Sequence, residues 1–357
     1  MSTTVMYNET TFASPGATVE GGDLWLPFAE LTQATGWQRK PEGICRDDIC
    51  IPVPEGRESA LLASDGERIN LCEFARLIEQ PYAYDAGKQV AYFGAPSWEW
   101  RNRLEGGMAP DFTLEDFEGK PHRLSGYRGS KVFLLCWASW CSCRLDLPIW
   151  NELREELHPQ GFEVITVACE SKGADAARPW LDAAHPSHPS LLDLEHLVPE
   201  LFNTRNVPAA FWIDEQGQIV RANDPIYAER RNFQTGEAVL NTRYLNAVRD
   251  WVANGPDSEF VQSAPGMDSI VHQTWENLTA LAHFRLGVYL NEHGHESDAV
   301  EHFKRAHALE PSNWNYKRQA WNLGGIEAYG YESIRDAMRE PGAPQFYRQV
   351  DIVNMPV

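Results

Sequence analysis

Along the first hundred residues the apolar positions come in short bursts separated by polar and glycine-containing turns, and one order of bursts occurs twice. Leu24 to Leu26 reads as a strand, Phe28 to Thr35 as a helix stopped by Gly36, and the stretch ending in Ile51-Pro52-Val53 as a hairpin. The same order returns in Ile69 to Leu71, a helix over Glu73 to Glu79 stopped by Pro81, and the apolar strand Val90 to Phe93. Phe28-Ala29-Glu30-Leu31 and Phe74-Ala75-Arg76-Leu77 fall in register 46 residues apart, the mark of a duplicated strand, helix and hairpin unit. The expectation is a small α+β domain over 23–105, preceded by a loose polar segment over 1–22.

From residue 106 the periods of two and 3.6 alternate. Phe112 to Leu114, Lys131 to Cys136 and Phe162 to Cys169 are strand-like; Pro148 to Leu157, Ala174 to Ala184 and Val198 to Phe202 have helical spacing. Ala209 to Asp214 and Gly217 to Val220 form a hairpin turned through Asp214-Glu215-Gln216-Gly217. Strands alternating with helices imply an α/β domain over 106–256, its central sheet covered on both faces. Over 257–345 the pattern becomes all-α: Trp275 to Asn291 and Glu296 to Leu309 are amphipathic helices joined by Glu292-His293-Gly294-His295, and Trp314 to Trp321 is a candidate third; a tail follows over 346–357. Leu286-Gly287, Tyr289, Ala299, Phe303, Ala306 and Pro311 resemble a tetratricopeptide repeat. One such pair cannot bury its own apolar face. Its apolar positions are expected to be covered by the rest of the chain or across a homodimer interface, restricting access to the chemistry below.

Composition narrows the partners. At 357 residues the chain is long enough for two or three domains of about 100–200 residues each. With 31 Lys+Arg against 51 Asp+Glu the net charge is −20, which repels phosphate backbones and anionic headgroups, so neither nucleic acid nor membrane is expected as a partner. Met1 to Gly16 lacks the basic and apolar regions of a signal peptide, which predicts a cytoplasmic protein. In a reducing cytosol, clustered cysteines read as catalytic or metal-binding before structural.

Cys141-Ser142-Cys143 is such a cluster. An apolar strand feeds Trp137-Ala138-Ser139-Trp140, the first cysteine follows at once, and Arg144 to Leu157 reads as the helix beyond it. Free N–H groups and the positive end of the dipole at a helix start stabilise a thiolate. A sulfur so placed attacks disulfides, and a second thiol two residues on resolves the mixed disulfide, giving a dithiol/disulfide cycle.

At this point residues 107 to 222 resemble the thioredoxin-like redoxins of the TlpA and ResA type, within the AhpC/TSA superfamily. Ala109-Pro110-Asp111-Phe112-Thr113-Leu114, Leu124-Ser125-Gly126-Tyr127-Arg128-Gly129, Trp137 to Cys141, Cys143 to Pro148, Val207-Pro208 and Phe211 to Asp214 follow that family's order. The resemblance implies a thioredoxin fold and a thiol-disulfide oxidoreductase in which Cys141 attacks and Cys143 resolves. It also implies a cis Val207-Pro208 peptide facing the cysteines, with Trp140, Val207 and Pro208 docking the substrate, and a cellular reductant to restore the dithiol; the access restricted by the C-terminal helices makes that substrate a small molecule or a flexible peptide. No cofactor is implied. Asp146 occupies the position of the family's acidic residue; as a sequence feature it is by default a helix-surface carboxylate, alternatively a group that tunes the thiols or moves protons. The family has two residues between its cysteines and this chain has Ser142 alone. Such a small ring favours an oxidant or isomerase, or a pair that stays reduced and holds something else. A peroxiredoxin would want Thr where Ala138 stands. More distantly, the N-terminal duplicated unit is similar to the small repeats in the stalk domains of copper amine oxidases, a likeness that carries no catalytic residue.

Two other classes stay open. Cys141 and Cys143 suit a soft-metal clamp for Cu(I), Hg(II) or Zn(II), or a site cleaving a carbon–metal bond with Asp146 supplying the proton; alternatively the redoxin fold is an interaction scaffold. Cys136, Cys169 and Cys72 read as buried core residues, and Cys45 and Cys50 as packing first and a secondary redox pair or disulfide second. His293 and His295 read as a solvated interhelix turn. Cys141 is expected to be the more accessible and the more acidic of the two active-site thiols. The check is alkylation rate against pH in Cys143→Ser and Cys141→Ser: Cys141 alone should label faster at low pH than Cys143 alone.

Overall fold

A computed structural model of the chain describes residues 2–8, 10–99, 105–232, 235–262, 273–347, 350 and 352. Two compact units emerge, one of residues 1–102 with 273–310 and one of 103–272 with 311–357. The segment 257–345, expected to stand as one all-α domain, is therefore divided between them.

The first unit contains β1 (Thr3–Tyr7), β2 (Thr10–Ser14), β3 (Thr18–Glu20), β4 (Asp23–Pro27), β5 (Gln38–Lys40), β6 (Gly43–Arg46), β7 (Ile49–Ile51), β8 (Arg68–Asn70), β9 (Tyr82–Asp85) and β10 (Val90–Phe93). Residues 1–22 are thus not loose. β1 lies between β2 and β10, pairing Thr4 to Tyr7 in parallel with Val90 to Phe93. Val5 and Tyr7 point into the core while Thr4 and Met6 stay half-exposed, a period of two over five residues that the surrounding threonines hide.

β4 runs directly into the helix Phe28–Thr35, and β8 into the helix Leu71–Leu77, whose first turn is capped by Asn70 Oδ1 accepting from the Glu73 N–H at 2.9 Å. The repeated order of elements is present. The 46-residue register is not, because Phe28 opens its helix whereas Phe74 lies in the fourth position of its own. Leu31, Trp37, Leu71, Phe74 and Phe93 form the centre of this core. Cys45 and Cys50 face each other across β6 and β7 with Cα atoms 4.1 Å apart and are joined as a disulfide, so the packing reading gives way to a cross-strand bond. Cys72 is buried on its helix, as read.

The helices Trp275–Glu292 and Glu296–Leu309 belong to this unit. They pack on one another, and the first lies against β9 and β10, which cover the apolar face that the pair cannot bury alone. Gly287 permits the close approach: a Cβ there would lie 2.7 Å from the Phe303 ring.

In the second unit β11 (Thr113–Glu115) and β12 (Pro121–Arg123) form a hairpin, and β13 (Lys131–Trp137), β14 (Phe162–Cys169), β15 (Ser190–Asp193), β16 (Ala209–Ile213) and β17 (Ile219–Asp224) form the central sheet. Its order is β15-β14-β13-β16-β17, the first three parallel and the last two antiparallel. All seven residues of β13 are buried, because both faces are covered. Phe133, Leu135 and Trp212 face the helices Leu147–Leu157 and Thr242–Asn254; Leu134, Cys136 and Phe211 face Ala174–Ala184 and Leu197–Leu201. The expected α/β layering is what the chain builds.

On the side of Trp212, Arg221 and Asp224 form an ion pair at 1% and 0% exposure. The carboxylate also accepts from the Tyr244 hydroxyl at 3.0 Å, which itself accepts from Trp212 Nε1 at 3.0 Å. Removing one partner of a buried pair strands the other charge. Arg221→Met is therefore expected to cost about 3–5 kcal/mol in urea unfolding, and a loss under about 1 kcal/mol would show that the pair behaves as a surface contact.

Candidate active site

The site forms where β13 ends. After Trp137 the chain turns tightly, the Cys141 N–H donating to Ala138 O at 3.0 Å, and enters a 3₁₀ turn over Ser142–Asp146. The α-helix starts only at Leu147, later than the Arg144 expected, with Pro148 in its first turn. Proline lacks an N–H and fits best there, so it fixes where the α-helix begins and leaves the cysteines to the tighter turn. Thiolate stabilisation then rests on local N–H groups more than on a macrodipole: Cys141 Sγ accepts from the Cys143 N–H at 3.3 Å. Cys141 and Cys143 are closed as a disulfide, their Cα atoms 5.2 Å apart. They are 0% and 1% exposed, so the expected difference in accessibility is absent in this state.

Opposite the disulfide the Val207–Pro208 peptide is cis, at the entrance to β16. The Val207 carbonyl lies 3.6 Å from Cys141 Sγ, and the Tyr227 hydroxyl lies at 3.6 Å from the same sulfur. Around that carbonyl a second set of residues gathers. Arg318, from the helix Trp314–Gly324, donates to it through Nη1 at 2.8 Å, and the Tyr347 hydroxyl donates to it at 3.0 Å. Tyr347 and Tyr227 hydroxyls are 2.9 Å apart, which completes a chain from Val207 to the sulfur. Trp140 is half-buried, with the Arg318 guanidinium 4.2 Å from its ring centroid. On the other side Arg144 donates to Cys141 O at 2.8 Å and stacks over Trp180.

Residues 106–222 match the AhpC/TSA family. The chain is 33% identical over 115 residues to the thiol-disulfide oxidoreductase ResA of Geobacillus thermodenitrificans, covering 32% of this chain and 66% of that protein. It is 31% identical over 118 residues to the thioredoxin-like protein YneN of Bacillus subtilis, covering 32% of this chain and 68% of that one. The chain belongs to the thioredoxin-like redoxins. Among solved structures, the exposed lipoprotein thioredoxin Etrx1 of Streptococcus pneumoniae is 32% identical with a TM-score of 0.29, over 32% of this chain and 87% of that one. The stretch shared with the ResA relative is slightly under two thirds of that protein's length.

Of the redoxin's expected site residues, Cys141, Cys143, Trp140, Val207 and Pro208 come together. Asp146 is close in sequence but is not a surface carboxylate. It is 2% exposed, and its Oδ2 accepts from the Ala228 N–H at 2.8 Å, which ties the start of the helix to the residue after Tyr227. Burial pushes its carboxyl up to about 7, against the lowering effect of the Ala228 N–H. Cys45 and Cys50 belong to the other unit, and Cys136 and Cys169 are buried core thiols, as read. His293 is exposed and stacks on Tyr289, in keeping with a turn. Among the described residues no group of three or more metal ligands occurs and no helix is long and apolar enough to cross a membrane.

Sequence reasoning missed Tyr227, Arg318, Tyr347 and Glu170. Glu170 is 0% exposed, accepts from the Ser139 N–H at 2.9 Å, and has its carboxyl pushed up by burial. A carboxylate immediately after the apolar run Val167-Ala168-Cys169 was a usable signal for it. The other three are distant in the chain, and nothing local marks them.

Asp146 gives a test. Its folded-state pKa lies above its unfolded value, so between about pH 4 and pH 7 the folded state binds the extra proton and stability falls as pH rises. Asp146→Asn should remove that slope and gain a few kcal/mol relative to the parent by pH 8. Parallel stability curves for the two proteins from pH 4 to 8 would show that Asp146 does not titrate in this window.

Proposed function

We propose that this redoxin is a thiol-disulfide oxidoreductase that cycles the Cys141–Cys143 pair. The observation that carries the reading is the placement of Cys141 Sγ against both the Val207 carbonyl and the Tyr227 hydroxyl, with Cys143 closed onto it as a disulfide. In the reducing direction the Cys141 thiolate attacks a substrate disulfide, forming a mixed disulfide and expelling one substrate thiolate. The Cys143 thiolate then attacks the Cys141 sulfur, which releases the second thiolate and closes the pair. Two electrons pass to the substrate, and a cellular thiol reductant returns them by the reverse exchange. In the oxidising direction the closed pair accepts two electrons from a substrate dithiol; the redox poise of the compartment sets which direction runs.

The Tyr227 hydroxyl is placed to donate to the thiolate once the pair opens, and Asp146 holds the adjacent Ala228 in position. Substrate is a small or flexible thiol or disulfide. The helices Trp275–Glu292 and Glu296–Leu309 are read as tetratricopeptide-like, a reading supported by the small residue Gly287 seated against Phe303.

The test is turnover of a small disulfide by the dithiol form. Cys141→Ser should abolish it, and Cys143→Ser should accumulate a mixed disulfide on Cys141 visible by mass spectrometry. A Cys143→Ser protein that never traps substrate would reverse the roles. Stoichiometric Cu(I), Hg(II) or Zn(II) retained by a dithiol form that does not exchange would favour the two-thiolate clamp.

A further inference from the structure

The Val207 backbone beside Cys141 has both of its hydrogen-bonding groups already engaged within the chain. Anything held on Cys141 as a mixed disulfide passes the Val207 carbonyl, 3.6 Å from the sulfur. An extended polypeptide gains its affinity at such an edge by pairing its own backbone with the exposed C=O and N–H groups, as an added strand does. Here both groups of residue 207 are taken. The carbonyl accepts from Arg318 Nη1 at 2.8 Å and from the Tyr347 hydroxyl at 3.0 Å, which occupies both lone pairs. The Val207 N–H donates to the Asn206 side-chain oxygen at 3.0 Å, and that oxygen also accepts from Arg318 at 2.7 Å. Arg318 further covers Trp140, at 4.2 Å from the ring centroid.

This covering is built in rather than incidental. Arg318 is 7% exposed and Tyr347 is 8% exposed. Their backbone is fastened to the same loop: the Asn315 N–H donates to Arg205 O at 2.8 Å, and Asn206 Nδ2 donates to Phe346 O at 2.8 Å. One helical turn on from Asn315, Gln319 Nε2 donates to Cys169 O at 2.8 Å, at the end of β14. Displacing the cap would leave a buried guanidinium and a buried hydroxyl without their acceptor, a cost of the kind that keeps such groups paired.

We infer that Arg318 and Tyr347 are specificity-determining residues that close the Val207 edge to extended polypeptide and reserve the Cys141–Cys143 pair for small thiols and disulfides. The inference rests on the oxidoreductase reading and names its substrate class. The exchange itself is the balanced one given above: each small disulfide takes two electrons from the dithiol and leaves as two thiols, and the pair closes.

The experiment uses the full chain, reduced and freed of reductant, with two probes that share a leaving group: the 2-pyridyl mixed disulfide of N-acetylcysteine amide, and the same group on the cysteine of a short unstructured peptide. Release of pyridinethione is followed for each. The parent protein should favour the small probe by about tenfold or more, the equivalent of one lost charge-assisted hydrogen bond. Arg318→Met combined with Tyr347→Phe should bring the ratio of the two rates close to one. Tyr347→Phe alone removes a single hydroxyl from the cap and should move the ratio the same way by a smaller factor, which keeps the test decisive if the double variant fails to fold. A parent protein that uses both probes equally, or a Tyr347→Phe ratio identical to the parent's, would overturn the inference while leaving the oxidoreductase reading intact. A parent protein that reacts with neither probe would overturn both.

Discussion

One carbonyl oxygen organises the second unit. A cis peptide turns the Val207 oxygen toward the Cys141 sulfur, and a carbonyl in so enclosed a place must be hydrogen-bonded. The chain meets that demand from far away, with Arg318 and Tyr347, more than a hundred residues further on. Meeting it fixes the helix Trp314–Gly324 over the end of the sheet, positions Tyr347 to reach Tyr227, and so sets the hydroxyl that faces the sulfur.

Much of this unit was legible from the chain alone. The strands β13 and β14 announce themselves as apolar runs too short for helices, and the order of strands and helices implies a covered sheet. The two cysteines, Trp140, Val207 and Pro208 were identifiable because their chemistry and their resemblance to a family agree. The helix boundary was misplaced since periodicity cannot see where proline forces the first α turn, and Pro148 does so at Leu147. Asp146 was misplaced for a different reason. A carboxylate near a helix start is ordinarily solvated, and only tertiary structure reveals the Ala228 N–H that receives it.

The N-terminal unit teaches the complementary lesson. Local pattern recovered the strand-to-helix order at Phe28 and at Leu71, yet failed on β1, whose paired residues in β10 lie 86 positions further on. A strand with two inward residues acquires its identity from pairing more than from propensity. The division of the C-terminal helices was equally hidden. Nothing in the amphipathic pattern of Trp275 to Leu309 distinguishes a helix pair that leans on β9 and β10 from one that joins the next helix in a continuous stack.

That division has a consequence for how the molecule is made. The chain visits the first unit, then the second, then returns to the first for 273–310 and to the second for 311–357. Domains emerging from a ribosome ordinarily fold in order, the N-terminal one first. Here neither unit is complete when its first stretch has been synthesised. The N-terminal strands wait for two helices encoded after the entire thioredoxin sheet, and that sheet in turn waits for the residues that satisfy Val207. Long loop closures of this kind slow folding and prolong the exposure of unpaired edges. The Val207 carbonyl beside the cysteine pair therefore waits for Arg318 and Tyr347, encoded more than a hundred residues after it, before its cover is complete.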